Sequence, residues 1–329
     1  MKWKKIISTK LVLLVLLLAA VVMTVPVSAT NELIAIPEPI NSNEVHLGGI
    51  TVGIIDDIIE RTNSSALLTP SEIDERVSAL TQIKAVFPDV TENDVSLIRL
   101  AMSDILAEID QSEAPDPGIT PYWGGYDPGH GIIEGGPHNE FARDACLYAG
   151  ASAENAIIAG IYGKEPDTWW GGADCATHYS GTGAPGLAKT YANDAKNYLD
   201  QSNTFEGFRR LAHSIHMMSD MSQPYHTGSG IQNYIRHTRY EEYLNSNWSL
   251  NANYSNIMHN EPYYYAVTDV EISAYNLADY IYPYLSTVDY IMGTNENTWS
   301  SNTELISITS DCVREATRYC RGTAIYVLG

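Results

Sequence analysis

Apolar residues recur at three- and four-residue steps through much of the chain beyond residue 50, the period of an amphipathic helix. ITVGIIDDIIERT at 50–62, SEIDERVSALTQIKAVF at 71–87 and ENDVSLIRLAMSDILAEIDQ at 92–111 carry it, with acidic residues between the apolar ones. A second series follows: HNEFARDACLYAGASAENAIIAGIYG at 138–163, APGLAKTYANDAKNYLDQ at 184–201 and TFEGFRRLAHSIHMMSDM at 204–221. RHTRYEEYLNSNW at 236–248, DVEISAYNLADYIYPYL at 269–285 and ELISITSDCVREATRYCRGTAIYVL at 304–328 complete it. No series of alternating segments interrupts, so the spacing predicts an all-α protein with long loops at 122–137, 164–183 and 245–266.

The amino end departs from this pattern. MKWKK precedes the apolar run LVLLVLLLAAVVMTVPVSA, which ends on the small residues Val27-Ser28-Ala29, the layout of a secretory signal peptide over 1–29. The run is also long enough for an uncleaved anchor, but Pro26 and the small residues favour cleavage and a secreted protein. SEAPDPGITPYW at 112–123 is a Pro/Gly-rich linker. It divides an acidic helical segment, 30–122, read as a propeptide or N-terminal domain, from a catalytic domain at 123–329.

Charge changes the range of partners. Forty acidic against nineteen basic side chains give a formal net charge of −21, so a long polyanion is repelled and no nucleic-acid partner is expected. Of the four cysteines, Cys312 and Cys320 lie eight apart on one predicted helix, about 12 Å between α-carbons, too far to bridge. Each therefore pairs with Cys146 or Cys175 or stays free.

The chemistry concentrates in HSIHMMSDMSQPYHTG. The chain has nine histidines, and three fall within 213–226. On a helix, His216 and Asp220 stack on one face and can chelate one cation. Pro224 ends or bends that helix, so the chain can fold back and present His226 to the same region. His237 and Glu241 repeat the four-residue spacing eleven residues later. Five ligands exceed what one tetrahedral zinc needs, and mixed imidazole and carboxylate donors without thiolate suit zinc. His213, one turn before His216, receives no ligand role; an outer-shell or surface position suits it better.

This series, with Gln223-Pro224 before its third ligand, resembles the zinc-dependent phospholipase C family, which includes bacterial phosphatidylcholine-hydrolysing enzymes and α-toxin catalytic domains and is related to P1/S1 nucleases. The resemblance covers 123–329. It implies an all-helical fold and up to three zinc ions in one cleft. One zinc would take His216, Asp220, His178 and Asp167, with Asp174 a rival to Asp167; a second would take His226, His237 and Glu241. The third would take His138 and the free amino group of Trp123, exposed by cleavage after Tyr122, with Asp220 bridging. His130, in the same loop as Trp123, could substitute in that site or be incidental. Asp167 would also orient or deprotonate the attacking water, and Tyr126, Trp169 and Trp170 would contact the head group.

The expected activity is phospholipase C on phospholipid head groups, by a monomer with transient membrane contact. A P1/S1-type nuclease or nucleotidase is the alternative. In that group the last ligand is typically aspartate after a longer insertion, whereas here it is Glu241, and His237 follows His226 by only eleven residues. A helical module with purely structural metals is the third reading.

Overall fold

The computed structural model describes residues 33–34, 52–112, 136–168, 178–181, 183–227, 234–249, 253–294 and 298–329. The expected signal segment at 1–29 and the expected 122/123 boundary fall outside these. The protein is all-α. Twelve helices account for the described residues, joined by a single two-residue parallel pairing, β1 (Leu33–Ile34) with β2 (Tyr264–Tyr265). Among the described residues no helix is long and apolar enough to cross a membrane.

Three helices come first: α1 (Val52–Asn63), α2 (Pro70–Val86) and α3 (Glu92–Ser112). Their starts are written locally. Thr69 accepts from the Glu72 amide while Glu72 bonds back to Thr69, a reciprocal cap. Thr91 and Asp94 repeat the arrangement. The apolar stripes of the three helices meet in one core containing Ile55, Ile58, Leu80, Val95, Ile98 and Met102.

Nine helices follow, about a second and larger core. They are α4 (Pro137–Tyr148), α5 (Ala153–Tyr162), α6 (Ala184–Asp200), α7 (Thr204–Asp220), α8 (Tyr234–Asn247), α9 (Tyr254–Asn260), α10 (Val270–Ile281), α11 (Tyr284–Thr294) and α12 (Thr303–Leu328). Single 3₁₀ turns occupy Glu165–Thr168, Pro224–His226 and Trp299–Ser301. The stretch expected as one helix over 138–163 is two: Gly150 adopts φ +86°, closed to most side chains, and Ser152 caps the second by accepting from the Asn155 amide. The expected loop at 245–266 contains α9, a further departure from the sequence pattern.

Helix α7 is the hub. It packs against α4, α5, α6 and α12, so every residue from Leu211 to Asp220 is buried. Alanines at 188, 192 and 195 of α6 let the two helices approach closely. Long helix α12 runs past α4, α7 and β2, and Gly322 marks its closest approach to β2, where an added Cβ would collide with the Tyr265 carbonyl. Arg321 beside it, 3% exposed, bonds Asp144 of α4 at 2.8 and 3.2 Å and the carbonyls of Met258 and Glu261. Cys146, Cys312 and Cys320 are buried free thiols. Cys175 lies outside the described residues.

Candidate metal centre

A helix surrounded on all sides would ordinarily be apolar all round, yet the buried half of α7 carries His213, Ser214, His216, Ser219 and Asp220. Buried polar groups cost free energy unless each finds a partner. Ser214 meets this demand by donating to the Ala188 carbonyl at 2.8 Å. The partners of His216 and Asp220 are other side chains of their own kind.

Five elements converge around that pair. Helix α4 begins with Pro137, which needs no backbone donor there, and places His138 in its first turn. The 3₁₀ turn at Glu165–Thr168 supplies Asp167, and the turn before α6 supplies His178. Helix α7 ends at Asp220; the turn at Pro224–His226 then reverses the chain and brings in His226, and α8 adds His237 and Glu241.

The ligand atoms fall into three groups. In the first, Asp167 Oδ1 lies 3.2 Å from His216 Nε2 and 3.9 Å from His178 Nδ1, which is itself 3.1 Å from His216 Nε2. In the second, His226 Nε2, His237 Nε2 and Glu241 Oε1 are mutually 2.6–3.0 Å apart. In the third, Asp220 Oδ1 is 3.3 Å from His138 Nε2, and Asp220 Oδ2 is 3.4 Å from His216 Nε2. His216 thus serves two groups, and Asp220, which is also 2.8 Å from His178 Nδ1, touches both; the remaining group is nearest them where His226 Nδ1 comes 3.9 Å from Asp220. Asp167 is intermediate in exposure; the other seven side chains are buried.

The outward-facing nitrogens are as ordered as the inward ones. His216 Nδ1 donates to the Gly163 carbonyl at 2.8 Å and His226 Nδ1 to the His178 carbonyl at 2.9 Å. Ser219 donates to the His216 carbonyl, leaving its oxygen to accept from His138 Nδ1 at 2.7 Å. The Tyr179 hydroxyl stands 3.3 Å from His237 Nδ1. A carbonyl only accepts, so Nδ1 of His216 and His226 carries a proton and Nε2 is the nitrogen each ring turns inward; burial would lower both imidazoles, but the neighbouring carboxylates raise them above the ordinary value. Metal-binding histidines are oriented in this manner.

Electrostatics agree. Burial alone would push the Asp167 and Asp220 carboxyls up, but the His216 imidazole beside them holds both below the usual carboxylate range. Burial is likewise overcome at Glu241 by His237 and His226. Desolvation drives His138 down to about 3, keeping that ring neutral. Three ionised carboxylates among imidazoles form a buried site that favours positive charge. Two carboxylate oxygens, Asp167 Oδ2 and Asp220 Oδ1, are buried there with no hydrogen-bond partner. Cations would satisfy them, and a tetrahedral zinc spaces its ligands about 3.3 Å apart, near the separations found. The donor set fits zinc.

Of the residues expected from the sequence, His138, Asp167, His178, His216, Asp220, His226, His237 and Glu241 stand together. Trp123, Tyr126, His130, Trp169, Trp170 and Asp174 lie outside the described residues. His213 is buried, not at the surface; Nε2 bonds Glu165 at 2.7 Å, while Arg209 holds the same carboxylate from Nε at 2.7 Å and Nη2 at 2.5 Å. That anchor fixes the turn carrying Asp167. Sequence reasoning also passed over Gly163, Ser219 and Tyr179, which hold the ligand rings from outside. Ser219 and Tyr179 are each one residue from a ligand, the only sequence signal they offered.

No family model matches the chain, and no characterised protein matches it significantly. The described residues contain buried histidine and carboxylate groups that could hold metal ions.

Proposed function

We propose that the chain is a secreted, zinc-dependent phosphodiester hydrolase of the phospholipase C type, acting on phospholipid head groups through an activated water. One observation carries this reading: two ligand groups share His216 and close to one centre, and a third, His226, His237 and Glu241, lies beside them, with His226 Nδ1 3.9 Å from Asp220. A purely structural zinc takes four protein ligands and stands alone. Here eight donors form three groups, and the group of His226, His237 and Glu241 has only three, which leaves a position for water or substrate.

Asp167, His178, His216 and Asp220 would hold one zinc; His226, His237 and Glu241 a second; His138 and Asp220 part of a third. Zinc bound in this way lowers the pKa of water towards 7 and neutralises phosphate oxygens. The chain's own contribution is placement and proton transfer. Asp167, with Oδ2 unpaired, is set to orient the water and take its proton as oxygen bonds to phosphorus. The P–O bond to the glycerol oxygen breaks, and that oxygen takes up a proton from solvent while Asp167 returns to solvent the one it accepted. The outer hydrogen bonds of His138, His216, His226 and His237 hold the imidazoles still, so no reorganisation accompanies the charge change.

The deciding experiment assays the secreted protein on phosphatidylcholine, other phospholipids, single-stranded DNA and a nitrophenyl phosphodiester, each with zinc and with chelator. Chelator-reversible cleavage of phosphatidylcholine is expected, with zinc approaching three per chain. Turnover of DNA alone would move the chain to the nucleases, and bound zinc without turnover would make the metals structural.

A further inference from the structure

One aromatic side chain belongs to two environments at once. Tyr179 follows the ligand His178 and is 1% exposed. Its ring is stacked on His226 with centroids 4.8 Å apart and meets His237 edge-on at 5.8 Å, while its hydroxyl reaches His237 Nδ1. Yet its apolar packing is with α1–α3: it completes the core of Ile55, Ile58, Ile98 and Met102 rather than the larger core.

We infer that Tyr179 couples the second ligand group to the three N-terminal helices: α1–α3 packed on Tyr179 hold His226 and His237 in their ligating pose, and a divalent cation bound there holds α1–α3 in place. The coupling rests on the metal centre proposed above. Its physical basis is shared contact. A ring packed between a helix core and two imidazoles cannot be repositioned for one without disturbing the other, because close-packed interiors transmit displacement. Outer partners of ligating imidazoles typically govern metal affinity by 10–100-fold. Linkage is reciprocal, so whatever affinity the seated helices lend the cation, the cation returns to the helices. Tyr179 is a positioning residue, and α1–α3 form part of the support of the centre instead of a separate appendage.

The test uses the full chain and two readouts that need no turnover. Hydrogen exchange with zinc and with chelator should show amides of 54–58 and 98–105 protected about tenfold more when zinc is bound. Competition with a chromophoric chelator should show one zinc bound about tenfold more weakly in Tyr179→Phe, which keeps the ring and loses the hydroxyl. Ile98→Ala, inside the N-terminal core and outside every ligand group, should weaken the same zinc. Unchanged protection on zinc binding would overturn the coupling. So would wild-type zinc affinity in Ile98→Ala whose helices are loosened or melted. A wild-type chain that binds no zinc would overturn the metal centre itself, a result visible before any variant is compared.

Discussion

Nδ1 of His216 donates to the carbonyl of Gly163 at 2.8 Å, and a methyl group on Gly163 would fall 2.6 Å from the carbonyl oxygen of His138. One small residue therefore sets the spacing of two candidate ligands. Gly163 has helical backbone angles that any residue can adopt, so the constraint is room, not conformation. Gly163→Ala should push the start of α4 away from α7, cost about 1–3 kcal/mol in chemical denaturation, and weaken zinc binding about 10–100-fold by chelator competition.

Asp220 touches His138, His178 and His216, members of two ligand groups, and Asp220→Asn preserves its shape while removing the charge. Replacing an outer partner of a metal ligand typically costs 10–100-fold, so this change should lower kcat at least about a hundredfold. It should also release more than one zinc per chain, countable by elemental analysis after dialysis. Loss of a single ion would show that Asp220 does not bridge.

His213 makes folding sensitive to acid. Burial pushes its pKa down to about 4 against an ordinary 6.5, outweighing the Glu165 carboxylate on Nε2. The unfolded chain then takes up a proton that the folded chain resists. Stability from this group is complete above pH 6.5 and is lost as the pH falls towards about 4, by about 3 kcal/mol. Urea denaturation across that window, in chelator to remove the metal contribution, should show a shallower loss for His213→Gln.

Arg321→Met should be among the most damaging changes remote from the centre. It would strip a charged partner from Asp144 and leave the carbonyls of Met258 and Glu261 unsatisfied, at the junction of α12, α4 and α9. Breaking a buried pair from one side costs about 3–5 kcal/mol. Calorimetry should show a large fall in Tm, whereas zinc stoichiometry of the surviving folded fraction should be unaltered.

The helices were readable because the period of apolar residues is a direct record of which face is buried, and the ligand pairs on α7 and α8 because four-residue spacing places side chains together. Other features left no such record. Nothing in EPDTWWGGADCATHYSG shows that Asp167 would meet His216; its position depends on a turn whose Glu165 is anchored by Arg209 and His213, 44 and 48 residues on in the chain. The breaks after Tyr148 and Ile281 interrupt apolar patterns that run on unbroken, since Gly150 and Pro283 act on the backbone without altering the period. Tyr179 reads as one more loop aromatic. Its role comes from lying between two cores, a relationship between distant segments.

Two of the imidazoles, those of His216 and His226, are aimed by peptide oxygens, those of Gly163 and His178. A carbonyl is common to every amino acid, so no exchange of side chain at those two positions deletes the acceptor; only a shift of the main chain can. Random substitution would therefore erode this centre chiefly through the ligands themselves and through bulk that moves the backbone, and its orientation would outlast wide drift in the residues that surround it.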